Sequence, residues 1–410
     1  MRFDLRLTSI GLFGTFLVLA VASGLFWANL TFIRTSPGGG DFFVLWQGTR
    51  NFAMNSSLPY NDLTAQVKNF VYGPDVRLPR GESLRRFDLP FYLVFFYIPF
   101  ALIEDPLVAR AVWMVFLEFE LLGLVWLMFQ LSRWRPSWPY LVLLLLFGVL
   151  WAPAVASLVA GSIIIFQVAL LLGALRTMQY EADEAAGALI ALACFNIEAV
   201  GPVILLMLFW AATLSRWRIW AGFLMVTAFL AALSVLFSTS WPLPFLTAIV
   251  VNWGAHAYPS TYSFLDGLLP GIGIRIAQGL TILTALLLLF EWRAARGKDV
   301  RWLIWTVSLT AVATPLLGMP FSPVWLVTSL PALLLALSVM EQRWGNFGRW
   351  SAVAIFLLVF FGLWGAFVAN RVFVFIFVFP ILLIFLLYWV RWGAVRPARL
   401  WADMISDLGK

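Results

Sequence analysis

Three glycines, Gly38 to Gly40, lead into Asp41 and an apolar, aromatic run, and that placement gives the carboxylate two uses. At the start of a surface helix it is a base able to take a proton from a hydroxyl. As a helix opening, Gly-Gly-Gly-Asp is equally a capping signature. Arg85 and Arg86 precede a second apolar segment; their guanidinium forks suit a phosphate diester, and also simple headgroup anchoring. Asp88, beside them, reads as a second carboxylate in the cleft or as their ion-pair partner. His256 is the only histidine. It lies among Trp253, Tyr258 and Tyr262, where an imidazole donates to a phosphate or hydroxyl oxygen and rings stack on a pyranose face; by itself a loop histidine is an ordinary surface residue. Arg275, just inside an apolar run, and Arg371, between two such runs, are further cations, with snorkelling as the simpler account. Glu118, Glu120 and Glu198 sit in otherwise apolar segments. Two positions apart, Glu118 and Glu120 point about 200° apart on a helix, so only one faces a given cavity.

The elements that position these residues follow from composition. The chain has 410 residues, 62% hydrophobic and 11% charged, with 38 Phe, 22 Trp and a mean hydropathy of +0.93. A soluble core has no use for so much apolar surface, and the apolar runs recur at membrane-spanning length. They fall near 8–31, 109–131, 138–156, 158–175, 185–198, 200–214, 219–238, 270–290, 302–317, 323–340, 350–369 and 372–390. The expected fold is an all-α polytopic membrane protein of about twelve spans, a single membrane domain over 1–410, with the first span retained. Cys194 is the only cysteine, which excludes an intrachain disulfide and a cysteine metal cluster. No HExxH, DxD, phosphate-loop or dinucleotide pattern occurs, so no metal and no cofactor are expected. The net charge of +7 divides between membrane sides and calls for no nucleic acid.

Basic, Trp-rich connectors at 133–135, 216–218, 293–301, 343–349 and 391–399 read as cytoplasmic under the positive-inside rule. Both termini, including the tail 391–410, then lie on the cytoplasmic side of the cell membrane. The long polar segment 33–108 is an external loop. Within it, an amphipathic helix is expected near 41–54. A second helix, near 89–103, is too short and too proline-broken to span, and lies on the outer surface. Residues 239–270 form a second external loop. A loop of this size, between helices that satisfy themselves in lipid, is where a membrane enzyme keeps its chemistry.

These residues resemble a known family. One span, a large external loop with an early Asp and two surface helices, and then many short helices with basic cytoplasmic turns is similar to the GT-C superfamily of membrane glycosyltransferases. The likeness is greatest to glycosyltransferase family 87, the polyprenol-phosphate-mannose-dependent mannosyltransferases. Carrying it are Asp41-Phe42-Phe43-Val44-Leu45-Trp46, then Leu58-Pro59-Tyr60-Asn61, Phe87-Asp88-Leu89-Pro90-Phe91-Tyr92 with Pro99, and Ala109-Arg110-Ala111-Val112-Trp113. The chain departs from the pattern where Ser162 follows Gly161 in place of a common Gln. Glu198 likewise stands where many relatives have Lys, and the usual double proline is reduced to Pro90.

The resemblance implies a hexosyltransferase that takes a sugar, mannose by likeness, from a polyprenyl phosphate to a lipid or glycan hydroxyl on the external face. Asp41 is then the general base of a single, inverting displacement. Arg85, Arg86, His256 and Arg275 hold the donor phosphate, and Trp46, Tyr60, Asp88, Tyr92, Trp253 and Tyr258 contact sugar or acceptor. Membrane lipid, the lipid-linked sugar and the acceptor are the partners. Two other readings stand beside it: a proton-coupled or lipid transporter using Glu118, Glu120 and Glu198, and a GT-C-like subunit without activity.

Overall fold

The computed structural model describes residues 5–36, 38–72, 86–254, 258–371 and 373–395, and among them every regular element is helical. In chain order the α-helices are α1 (Leu5–Thr35), α2 (Gly40–Asn55), α3 (Thr64–Tyr72), α4 (Tyr92–Ala101), α5 (Pro106–Ser132), α6 (Trp138–Leu150), α7 (Ala152–Ala160), α8 (Ile164–Gln179) and α9 (Asp183–Leu192). They continue as α10 (Ile197–Thr213), α11 (Trp217–Phe237), α12 (Pro242–Gly254), α13 (Thr261–Leu268), α14 (Gly273–Ala295), α15 (Val300–Ala313), α16 (Leu330–Val368) and α17 (Phe379–Val395).

Seven helical stretches are long and apolar enough to cross a membrane, or eight if the pair α6 and α7, bent by 47°, is one span. Large apolar side chains cover their outsides, among them Phe16, Trp27, Leu236 and Phe290. Only hydrocarbon solvates such surfaces, so the chain is an all-helical, multi-pass membrane protein.

Length separates seven from the expected twelve: the apolar helices α4, α8, α10 and α12 are each shorter than eighteen residues. Two expected spans, 323–340 and 350–369, fall together in α16, which is kinked between them. Its backbone leaves helical geometry at Gly345 (φ 56°, ψ −128°), and a Cβ on Gly348 would collide with the Met340 carbonyl, so the chain folds back there. The segment 239–270 is not irregular but carries α12 and α13, and α3 adds a helix inside the long loop.

The chain divides into two compact units. One comprises 1–123, 154–167 and 228–257; the other comprises 124–153, 168–227 and 258–410. An aromatic cluster forms the core of the first. The fully buried Trp113 lies 4.8 Å from Tyr97, 4.9 Å from Phe100 and 5.2 Å from Phe116, ring centre to ring centre, and its indole donates to the Gly161 carbonyl at 2.9 Å. Partly buried ion pairs tie the helix ends of the second. Arg391 donates to both Glu291 oxygens at 3.0 and 2.9 Å and lies over Trp302 and Trp305, while Arg216 pairs with Asp183. Arg349 and Trp134 meet on Glu341, each at 2.8 Å.

Candidate functional site

The first unit contains most of the residues singled out in the sequence. Helix α2 begins after Gly38 and Gly39, both at positive φ; Gly39 (φ 90°, ψ 25°) occupies the cap position with no side chain to cap with. Asp41 is therefore not the cap. It sits half-buried in the first turn, where a carboxylate is favoured by the positive end of the helix. Ser56, in the left-handed region (φ 53°), ends the helix with its N–H on the Phe52 carbonyl.

Glycine is required at position 39 for a second reason. The guanidinium of Arg110 lies against it, so that a Cβ there would meet Nε at 2.5 Å and Cζ at 2.7 Å. Arg110 is 1% exposed; it donates to the Val159 carbonyl at 2.6 Å and lies 5.8 Å from the Phe43 ring centre. Tyr97, fully buried, completes this neighbourhood. Burial, and secondarily the Asp41 carboxylate, push its phenol well above its ordinary value, and its hydroxyl has no hydrogen-bond partner among the described residues.

Helical phase decides which way Asp41 faces. Gly48, seven residues on, shares its side of α2 about 10 Å along the axis. Phe87 and Pro59 pack on Gly48, where a Cβ would sit 2.9 Å from the Phe87 ring. The same side of α2 thus carries Asp41 and meets the segment that holds Arg86 and Asp88.

That segment is fastened by Asn252 of α12. The buried Asn252 amide accepts from the Arg86 N–H at 3.1 Å and donates to the Arg86 carbonyl at 3.1 Å and to Asp88 Oδ2 at 2.8 Å. The Arg86 guanidinium reaches Asp62 Oδ2 at 2.7 Å, so this arginine pairs with a residue ahead of α3. The Thr64 hydroxyl, with Arg86 as a lesser cause, holds the Asp62 carboxyl below its usual range. Tyr60 is buried against Phe87 and donates to the Leu89 carbonyl at 3.1 Å; burial and then Asp88 raise its phenol far above its ordinary value. Replacing Asn252 by Ala removes three hydrogen bonds at once and is expected to cost about 1–3 kcal/mol of stability. Thermal unfolding of the purified protein checks this, and an unchanged midpoint would contradict the clamp.

Of the other expected contacts, Trp46 is buried and its indole donates to the Phe100 carbonyl at 3.2 Å, while Arg50 donates to the Ala101 carbonyl at 2.8 Å; together they fasten α2 to the end of α4. Tyr92 is half-buried at the start of α4, and Trp253 is exposed near the end of α12. On the side of α2 away from Asp41, Phe43, Trp46 and Gln47 join Gln66, Val67 and Phe70 of α3 and Pro106 around a cavity of about 250 Å³. Arg85 and His256 lie outside the described residues, as do residues 396–410 of the tail. Tyr258, buried 5.4 Å from the Trp325 ring, and Arg275, exposed near the start of α14, belong to the second unit.

The intramembrane carboxylates divide too. Glu118 is buried in the first unit, with both oxygens 3.2 Å from the Asn29 amide nitrogen, and Glu120 is half-buried. Glu198 is buried in the first turn of α10, and Ser162 is buried after Gly161. No group of three or more His, Cys, Asp or Glu suited to a metal ion occurs among the described residues.

Arg110, Tyr97, Asn252 and Asp62 were not picked out as site residues from sequence. Arg110 offered a signal, being an arginine inside an apolar helix. Asn252 and Asp62 offered none, since their partners are distant in the chain. Comparison with known proteins returns no matching family model, no matching curated protein and no matching solved structure.

Proposed function

We propose that the chain is a membrane glycosyltransferase of the GT-C type. It transfers a hexose, mannose by the family likeness, from a polyprenyl phosphate to a lipid or glycan hydroxyl at the external membrane surface. One observation carries the reading: Asp41 and the Arg86–Asp88 segment share one side of α2 within a single unit. In the reaction the Asp41 carboxylate takes the acceptor proton while the hydroxyl oxygen attacks the anomeric carbon. The carbon–oxygen bond to phosphate breaks, its electron pair leaves on the phosphate oxygen, and a cation such as Arg86 stabilises the charge. A single displacement inverts the anomeric configuration. On this reading α4 lies on the outer surface. The two limbs of α16, the bent pair α6 and α7 and the shorter apolar helices bring the crossings to about twelve, with both termini cytoplasmic.

The transporter reading has a specific difficulty. Glu118, a carboxylate it would use, is engaged by the Asn29 amide at 3.2 Å. Proteoliposomes supplied with radiolabelled polyprenyl-phosphate-mannose separate the two. The expected result is sugar incorporation that Glu118→Gln leaves at the wild-type level. Proton flux that Glu118→Gln abolishes, without incorporation, would overturn the transferase reading in favour of transport.

A further inference from the structure

In the second unit, the C-terminal limb of α16 and the start of α17 enclose a cavity of about 290 Å³ whose lining is almost wholly apolar. Its floor is buried: Leu333, Leu363, Phe379 and Leu383. Its rim is not, since Leu358 is 71% and Leu382 57% exposed. Both rim residues lie on stretches that qualify as membrane spans, so the mouth opens toward bilayer hydrocarbon and not toward water. Two features hold the groove open. Gly362 lines it without a side chain, a Cβ there meeting nothing within 4 Å, and residues Val374–Val378 form a π-helical turn, a widened geometry that recurs at functional sites.

A basic residue borders one end, in the turn between Gly362–Leu363 and Val374. Arg371 is exposed, its N–H bonded to the Ala366 carbonyl at 2.8 Å and its carbonyl accepting from the N–H of Val374, a lining residue, at 3.0 Å. No carboxylate pairs with it among the described residues. A cation at the end of an apolar groove that opens into lipid matches one ligand chemistry, a hydrocarbon chain bearing an anionic phosphate.

We propose that this groove binds one acidic glycerophospholipid of the surrounding bilayer, an acyl chain against Gly362 and the phosphate at Arg371. The proposal does not depend on the transferase reading, because it concerns a different unit and is read by binding alone. The test uses the full-length protein in nanodiscs of phosphatidylcholine doped with phosphatidylglycerol carrying a photoreactive diazirine on one acyl chain. The expected result is cross-linking concentrated at Leu358, Val378 and Leu382, reduced about fivefold by Arg371→Gln and lost in Gly362→Leu, whose Cβ has open space and whose longer side chain occupies the groove. Gly362→Leu is accepted only if its thermal midpoint matches wild type, and Arg371→Gln provides the independent second variant. Labelling spread evenly over the exposed helices would overturn the site. Equal labelling by a phosphatidylcholine probe, or labelling unchanged in Arg371→Gln, would overturn the choice of an acidic lipid. Displacement by substoichiometric polyprenyl phosphate would overturn the glycerophospholipid and give the groove to the prenyl carrier.

Discussion

Asp41→Asn is expected to lower sugar transfer by about 10²–10⁴-fold while leaving the protein folded. The substitution keeps the shape of the side chain and removes only its basicity. Asp41 is not the cap of α2, a position held by Gly39, so the helix keeps its start when the carboxylate becomes an amide. Loss of a charge at the helix N-terminus by itself costs about 0.3–1 kcal/mol. A variant with the wild-type elution profile and thermal midpoint but no transfer separates catalysis from structure. A variant with full activity would remove Asp41 from the mechanism. Collapse of the fold would instead assign it a structural role.

Gly39→Ala is expected to have the largest effect on stability. The position demands a left-handed backbone (φ 90°), which costs an L-residue about 1–2 kcal/mol. Its methyl group would also press on Arg110 Nε and Cζ, at 2.5 and 2.7 Å. That guanidinium is buried and bonded to the Val159 carbonyl, so it cannot swing to solvent, and overpacking of this kind adds about 1–3 kcal/mol. The sum is about 2–5 kcal/mol, together with a fall in transfer, because Asp41 follows two residues later. Gly123→Ala is the control: its Cβ meets nothing within 4 Å, and in a helix the change is expected to be neutral or stabilising. Equal thermal midpoints for both variants would contradict the packing of Arg110 on Gly39.

What the sequence made legible was local. Composition and run length located the membrane helices, and the helices near 41–54 and 89–103 correspond to α2 and α4. Asp41 stood out behind three glycines, and Arg86 and Asp88 ahead of an apolar segment. Contacts between remote segments were not legible: Asn252 reaches Arg86 across 166 residues, and Arg110 reaches Val159 across 49. Nor did periodicity separate a helix buried in protein from one facing lipid, which is why α10 and α11 read alike although the first is mostly buried and the second mostly exposed. Arg86 reaches Asp62 and Asp88 accepts from Asn252, two pairings between segments remote in the chain. Choosing among competing partners depends on the fold of the whole unit.

The central claim is a lipid-donor glycosyl transfer with Asp41 as base, and the stereochemistry of the product tests it most directly. Purified protein in liposomes would be given radiolabelled polyprenyl-phosphate-mannose with membrane lipid acceptor, and the anomeric configuration of the new linkage assigned by linkage-specific mannosidase digestion. The expected result is a product inverted relative to the donor, absent with Asp41→Asn. A product that retains the donor configuration, or transfer that persists in Asp41→Asn, would contradict the mechanism.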